Sequence, residues 1–331
     1  MTADAAAASS VPQPRLPLAP LPTPCEPIDR LGAALGFPPG GLLIKRDDLT
    51  GLAGGGNKVR KLEYLCADAL CRGADTLVTG GGKQSNHVRV TAAAANRLGL
   101  GCTVVLAAPR PDHATGNVVL DELLGAEIVW AGDLDYESLD ARIEAEAGRL
   151  AAAGRKPYAI PIGGASTVGA LGYAVAAREL REQVPDVDLL VVADGSGGTH
   201  AGLVAGFGDH GMVLGVDVGT RPNLDTAVPA MAAAVAAQAG LAAPVGRVRI
   251  DHDHFGDGYG APTGGALEAL RLAARLEGLI LDPVYTAKAL AALIVHAREG
   301  RIDARTQRVV FVHTGGMPAL FSERYRAWLR S

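Results

Sequence analysis

Aromatic residues are scarce in this chain: 2 Trp, 7 Tyr and 5 Phe in 331 residues. Base-stacking platforms for RNA or single-stranded DNA need more of them than this. Charge of one sign is lacking too, because 31 basic residues face 35 acidic ones for a net charge of −4. No basic stripe calls for a polyanion, so no nucleic-acid partner is expected. Only four cysteines occur (Cys25, Cys66, Cys71 and Cys102), none in a C-x-x-C pair, which excludes a disulfide framework. They read as small hydrophobes in a reducing compartment. No apolar run is long enough to cross a bilayer; the Ala-rich stretch at 232–243 is short and carries Gln238 and Gly240. The start, MTADAAAASSVPQPR, lacks the basic n-region of a secretory signal. A cytoplasmic location with no membrane partner is the expectation.

What the chain has is glycine, 43 residues of it, and 48% hydrophobic residues, enough apolar material for one large or two ordinary domains. After a Pro- and Ala-rich arm and an extended segment over the first 25 residues, strands alternate with helices. Strands are expected at Leu42–Lys45, Thr76–Thr79, Cys102–Leu106, Ile128–Trp130, Tyr158–Ile160, Leu189–Ala193, Met212–Val216 and Arg308–Val312. Between them the spacing predicts helices from Asn57, over Ser85–Leu98, Asn117–Leu124, Leu139–Ala153, Val168–Gln183, Thr199–Phe207, Asn223–Gly240, Gly265–Glu277 and Thr286–Glu299. Asn57 reads as an N-cap. This alternation means an α/β protein with mainly parallel twisted sheets flanked by helices.

Three glycine-rich segments carry the chemistry. Gly54-Gly55-Gly56-Asn57-Lys58 opens a helix, where the positive end of the helix dipole disfavours a charged lysine. A lysine so placed is a better nucleophile toward a carbonyl; the plain alternative is a solvated surface lysine. Gly80-Gly81-Gly82-Lys83-Gln84-Ser85-Asn86-His87 also sits between strand and helix, suited to a carboxylate or phosphate. Its plain alternative is an ordinary cap by Ser85 with Asn86 and His87 exposed. Asp194-Gly195-Ser196-Gly197-Gly198-Thr199-His200 follows the continuously apolar Leu189–Ala193 and is the best phosphate cradle in the chain. A dinucleotide fingerprint would need glycine where His200 stands, although Asp217 lies at a suitable distance, so a nicotinamide enzyme is the weaker alternative. Asn57 before Lys58, with no Ser or Thr after it, defeats a phosphate-binding P-loop. Asp251-His252-Asp253-His254 has neither EF-hand nor zinc spacing and reads as a solvated loop, so no metal is expected. No G-x-S-x-G elbow supports serine hydrolysis. A lysine at a helix start, a separate phosphate cradle and an anion-binding Ser-Asn-His turn converge on pyridoxal 5'-phosphate.

Six blocks then resemble one family. They are Ile44–Ala53, Gly55–Glu63, Gln84–His87, Gly195–Gly202, Asp282–Thr286 and His313–Gly316. In this order, over nearly the whole chain, they resemble the D-cysteine desulfhydrase and 1-aminocyclopropane-1-carboxylate (ACC) deaminase family, within the fold type II (tryptophan synthase β-like) pyridoxal-phosphate enzymes. The resemblance implies two domains with the cofactor in the cleft between them: residues 1–59 plus 171–331 as the larger, 60–170 as the smaller. It implies that Lys58 carries the cofactor and takes the substrate's Cα proton. Asn86 would bond the cofactor's 3'-oxygen, and Gly195, Ser196, Gly197, Gly198 and Thr199 would hold its phosphate. Thr286 would lie at the pyridine nitrogen, and Thr314 also at the cofactor. Ser85 would bind the substrate carboxylate, with Asn86, His87, Tyr259 and Tyr285 lining the substrate pocket and Tyr285 near the leaving group. It also implies a homodimer.

Two positions separate the branches. ACC deaminases follow the tyrosine with Glu, where this chain has Thr286, and carry Leu where it has Thr314. Both point to the desulfhydrase branch, because a neutral group at the pyridine nitrogen makes a weaker electron sink, which suffices when a good leaving group sits at Cβ. The expected reaction is α,β-elimination from D-cysteine to pyruvate, ammonia and sulfide. The alternatives are ACC deamination, sulfonate elimination from cysteate, β-replacement, or cofactor or nucleotide binding without catalysis. Lys83 stands where the desulfhydrase pattern has an apolar residue; it either points to solvent or adds a charge favouring an anionic side chain.

Overall fold

The structure is a computed structural model that describes residues 14–331. Most of the Pro- and Ala-rich arm, residues 1–13, lies outside the described residues. The strands are β1 (Cys25–Pro27), β2 (Leu42–Lys45), β3 (Thr76–Gly81), β4 (Gly101–Leu106), β5 (Glu127–Trp130), β6 (Pro157–Ala159), β7 (Leu189–Asp194), β8 (Val213–Asp217), β9 (Arg249–Asp251) and β10 (Val309–Val312). They form two sheets. One has six strands in the order β1-β2-β10-β7-β8-β9, parallel except for β1; the other has four parallel strands in the order β5-β4-β3-β6.

The helices that matter for the site are α1 (Asp29–Ala34), α2 (Lys58–Cys71), α3 (Asn86–Leu98), α4 (Asn117–Leu123), α5 (Tyr136–Ala152), α6 (Thr167–Gln183), α7 (Gly198–Phe207), α8 (Leu224–Gln238), α9 (Gly264–Leu272) and α10 (Thr286–Arg298). The continuous apolar run of β7 is explained by two-sided burial. Leu189 and Val191 point into a core shared with α1, α9 and α10, while Leu190 and Val192 point into another shared with α6, α7 and α8. β10 divides in the same way, with Val309 and Phe311 on one side and Val310 and Val312 on the other. Each such side chain contributes about 1.5–3 kcal/mol of burial. In α2, Val59, Leu62, Leu65, Cys66 and Ala69 form the expected stripe, packed against Leu77 of β3 and Val90, Ala94 and Ala95 of α3.

Several expectations need correction. Asn57 is not a side-chain cap: its φ and ψ are −55° and −23°, and its amide is committed across the fold to Thr199. Helix α5 starts three residues earlier than predicted, because Asp135 accepts the Ser138 amide as its cap. The short elements β1, α1 and β9 escaped prediction, being too brief to show a period. Asp251 is not in a solvated loop. It ends β9, is buried, and takes hydrogen bonds from His254 (2.6 Å) and His296 (2.6 Å). Of the four free cysteines, Cys66 is buried but Cys71 is exposed, so it does not pack as a core hydrophobe. Among the described residues no helix is long and apolar enough to cross a membrane, and no group of His, Cys, Asp and Glu is arranged to hold a metal.

Candidate active site

A cavity of about 590 Å³ opens where the carboxyl ends of strands from both sheets meet. Loops after β3, β7 and β8 line it, as does the start of α2. This is the usual place for a ligand in a parallel α/β fold, since such loops end at helix N-termini.

Lys58 is the first residue of α2, and the loop before it is built to a tight shape. Gly54, Gly55 and Gly56 all have positive φ, and a Cβ on Gly55 would overlap Asp48 O. Thr50 Oγ1 accepts the Gly56 amide at 2.8 Å and donates to Gly56 O at 2.9 Å. Beneath the loop, buried Asp47 accepts two bonds of 2.8 Å from Arg60, whose Nη1 donates to Glu179 at 2.9 Å. The Lys58 ammonium reaches Gly163 O at 3.3 Å. Burial lowers its pKa from 10.5 to about 8, against the raising effect of Lys61 and Asp194. Lys61, one turn on, donates to the same carbonyl at 3.1 Å and is driven well below the ordinary lysine range, by burial first and by Lys58 second. One carbonyl thus holds two amines that cannot both stay charged.

Opposite lies the Gly195–Thr199 turn between β7 and α7. Gly197 takes a left-handed φ of 87°, and the first amides of α7 have no partner within the helix. Lys61 Nζ lies 2.7 Å from where a Cβ of Gly198 would be, so a second amine backs this turn. The residues therefore fit a phosphate: free helix amides, the Thr199 hydroxyl and a nearby amine. Asp194, at the end of β7, lines the cavity and pairs with buried His200 at 2.7 Å.

The third turn leads into α3. Ser85 caps it, accepting from Val88 N at 3.3 Å. Asn86 and His87 are buried, which excludes the exposed alternative. Asn86 Oδ1 accepts from Arg89 at 3.0 Å and from Asn117 Nδ2 at 2.9 Å, so its amide N–H groups remain available to a ligand. Arg89 also donates to Gly55 O at 2.8 Å, tying this turn to the loop before Lys58. Thr79 gives its proton to Ile160 O (2.9 Å), so at 3.0 Å it accepts from His87 Nε2. Among the described residues, His87 Nδ1 is then a buried acceptor without a partner. Burial, Lys58 and Lys61 hold this imidazole neutral.

Tyr259 and Tyr285 close one side, their hydroxyls 2.6 Å apart. Burial raises the Tyr259 pKa to about 12 and that of Tyr285 well above 10, so both are proton donors at neutral pH. Tyr285 is aimed by Asp282, whose carboxylate accepts the amides of Val284, Tyr285 and Thr286 at 2.8–2.9 Å.

The cavity thus brings together Lys58, Ser85, Asn86, His87, Gly195, Ser196, Gly197, Thr199, Tyr259, Tyr285 and Thr314. Gly198 lies one residue behind the lining. Thr286 does not reach it either: its hydroxyl donates to Asp282 Oδ1 at 2.7 Å within the turn. Lys83 is exposed and also outside it. Lys61, Gly163, Tyr136 and Thr220 went unnoticed in the sequence. Only the Gly163-Gly164 pair, both with positive φ, carried a local signal.

A family model described as pyridoxal-phosphate dependent enzyme matches residues 16–315. D-cysteine desulfhydrases of Salmonella newport (strain SL254) and Salmonella typhi are each 44% identical over 322 residues, covering 93% of this chain and 96% of theirs. A crystal structure of an ACC deaminase homologue superposes with a TM-score of 0.88 at 38% identity, covering 96% of both chains. A processed threonine deaminase isoform 2 from Solanum lycopersicum shares the fold alone, with a TM-score of 0.65 at 17% identity, over 93% of this chain and 82% of its own. With a half-buried lysine facing a turn that fits a phosphate and the family match spanning nearly all of the described residues, the chain belongs to the pyridoxal-phosphate dependent enzymes.

Proposed function

We propose that this enzyme cleaves D-cysteine by α,β-elimination to pyruvate, ammonia and hydrogen sulfide. The observation that carries the reading is the Lys58 amine, its pKa lowered to about 8 by burial, in one cavity with the Gly195–Thr199 turn and Ser85. The substrate itself is suggested by the D-cysteine desulfhydrases 44% identical to this chain and by Thr314, which lines the cavity where the resemblance gives ACC deaminases Leu.

When bound, pyridoxal phosphate supplies an electron sink for the charge left at Cα. Lys58 would hold it by its aldehyde carbon. The Gly195–Thr199 amides, Thr199 Oγ1 and Lys61 would hold the phosphate, the Asn86 amide would hold the 3'-oxygen, and Thr314 would contact the cofactor from the cavity wall. Ser85 and the first amides of α3 orient the substrate carboxylate. Once the substrate's amine has displaced it, the freed Lys58 Nζ takes the Cα proton; with a pKa near 8 it is free base often enough to do so at neutral pH. Tyr285, its proton held by a raised pKa and its hydroxyl aligned by Tyr259, donates to the departing sulfur. The His87 Nδ1 lone pair accepts a substrate N–H.

The domain division at 1–59 plus 171–331 and 60–170 is supported by the separation of the sheets, since β3 to β6 fall within 76–159. A homodimer in the cytoplasm is part of the proposal; sedimentation should give twice the chain mass.

The test is to supply purified holoenzyme with D-cysteine and assay sulfide and pyruvate. Equal amounts of both are expected. Lys58→Ala should lower turnover by at least about 10²–10⁴-fold, the usual contribution of a positioned base. Formation of 2-oxobutyrate from ACC without sulfide from D-cysteine would overturn the reading.

A further inference from the structure

The loop that brings Tyr259 to the cavity has no regular structure to fix its shape. It runs over residues 252–263, and Gly256, Gly258 and Gly260 all have positive φ (67°, 133° and 67°). Glycines in such conformations leave a loop many alternatives. Nevertheless Tyr259 must arrive within 2.6 Å of the Tyr285 hydroxyl, and its ring edge lies 3.1 Å from where a Cβ of Gly82 would be.

What organises the loop from beneath is a lysine the proposed reaction does not use. Lys288 is fully buried, and its ammonium donates to Phe255 O at 2.8 Å and to Gly258 O at 3.1 Å. These two carbonyls bracket the Gly256-Asp257 tip and end immediately before Tyr259. Lys288 does not line the cavity. It stands three residues after Tyr285 on α10, one turn along the helix. The opening turn of α10 therefore presents Tyr285 to the cavity and Lys288 to the loop that carries Tyr259. Two further contacts confine the loop from other sides. Tyr325 donates to Gly260 O at 2.7 Å, and Gly219 approaches so closely that a Cβ there would lie 3.0 Å from Tyr259 N.

We propose that Lys288 is a positioning residue for the reaction: by tying Phe255 O and Gly258 O to α10, it sets the register of the Tyr259 hydroxyl against Tyr285 at the leaving-group side of the site. The proposal rests on the reading of that site as an elimination centre. The lysine ties two half-buried carbonyls of the loop to α10, so removing the amine should free the loop.

The experiment compares holoenzyme variants Lys288→Met, Lys288→Gln, Tyr259→Phe and the double Lys288→Met/Tyr259→Phe. Lys288→Met should lower kcat/KM for D-cysteine about 10- to 100-fold, but less than about 3-fold in the Tyr259→Phe background, where the group it positions is already gone. Lys288→Gln, whose amide keeps two N–H donors, should recover part of the loss, and it serves in the cycle if Lys288→Met does not fold. Chymotryptic cleavage after Phe255 should quicken at least about fivefold in Lys288→Met and stay unchanged in Tyr259→Phe, as local opening of a loop requires. Equal losses in both backgrounds, or unchanged cleavage at Phe255, would overturn the proposal. If wild-type enzyme does not cleave D-cysteine, the functional reading fails, while the proteolysis still decides whether Lys288 holds the loop.

Discussion

Two lysines one helical turn apart, sharing one carbonyl oxygen, set the reactivity of the site. Water would keep both charged; here burial removes that option, and Lys58 comes down to about 8 while Lys61 is also driven well below the ordinary lysine range. The lowered pKa suits Lys58, which lines the cavity, to exchange a proton, while Lys61 lies beside the Gly195–Thr199 turn. It has a kinetic consequence. Only the free base of Lys58 can add to an aldehyde, so uptake of pyridoxal phosphate by the apoenzyme should quicken as pH rises, with a midpoint near pH 8. Absorbance-monitored reconstitution across pH measures this. A midpoint near 10.5, the value of an ordinary lysine, would show that the amine is solvated.

At the scale of elements, helix packing decides where the turns end up. Helices α6 and α7 approach through Gly202 and Gly206: a Cβ on Gly202 would overlap Ala170 O, and one on Gly206 would overlap Ala177. Their closeness seats α7, and with it the Gly195–Thr199 turn. On the other flank, His252 joins β8, α8 and the end of β9. Its Nδ1 lies 2.9 Å from Asp217 Oδ2 and its Nε2 3.1 Å from Asp225 Oδ2. Both contacts can be hydrogen bonds at once only when the ring is an imidazolium. Partial burial alone would lower its pKa, but the bonds to Asp217 and Asp225 outweigh this and raise it. A raised folded-state pKa means that the stabilisation is fully present below the unfolded-state value and fades as pH climbs through the folded-state one. Denaturant titrations should therefore show His252→Gln less stable than wild type at pH 5.5 and nearly equal at pH 8.5. An unchanged difference between the two would count against the bridge.

Across the whole molecule, the alternation of strands and helices, the two-sided burial of Leu189–Ala193 and the three glycine turns were legible because each is local. A strand buried on both faces is apolar throughout, and an anion turn needs glycine where the backbone bends. Lys58, Ser85, Asn86 and the Gly195–Thr199 turn could be selected on that basis, and the family resemblance supplied their roles. What stayed hidden lacks a local mark. Lys61 reads as any helix lysine, and Lys288 as any residue of an apolar helix. Asn57 reads as a cap, although its amide reaches a residue 142 positions away. Asp251 reads as part of a polar loop until the fold lays His296 against it. By itself, then, the sequence determined the architecture, the cofactor class and the candidate lysine, since these follow from periodicity, turn chemistry and family pattern. Only the tertiary structure decided which amines lose their charge, which way the Asn86 amide faces, that Thr286 turns into its own helix start, and what holds Tyr259 in place. Desolvation and hydrogen-bond partnership belong to neighbours in space, and the chain brings those neighbours together only when the two sheets close on one cavity.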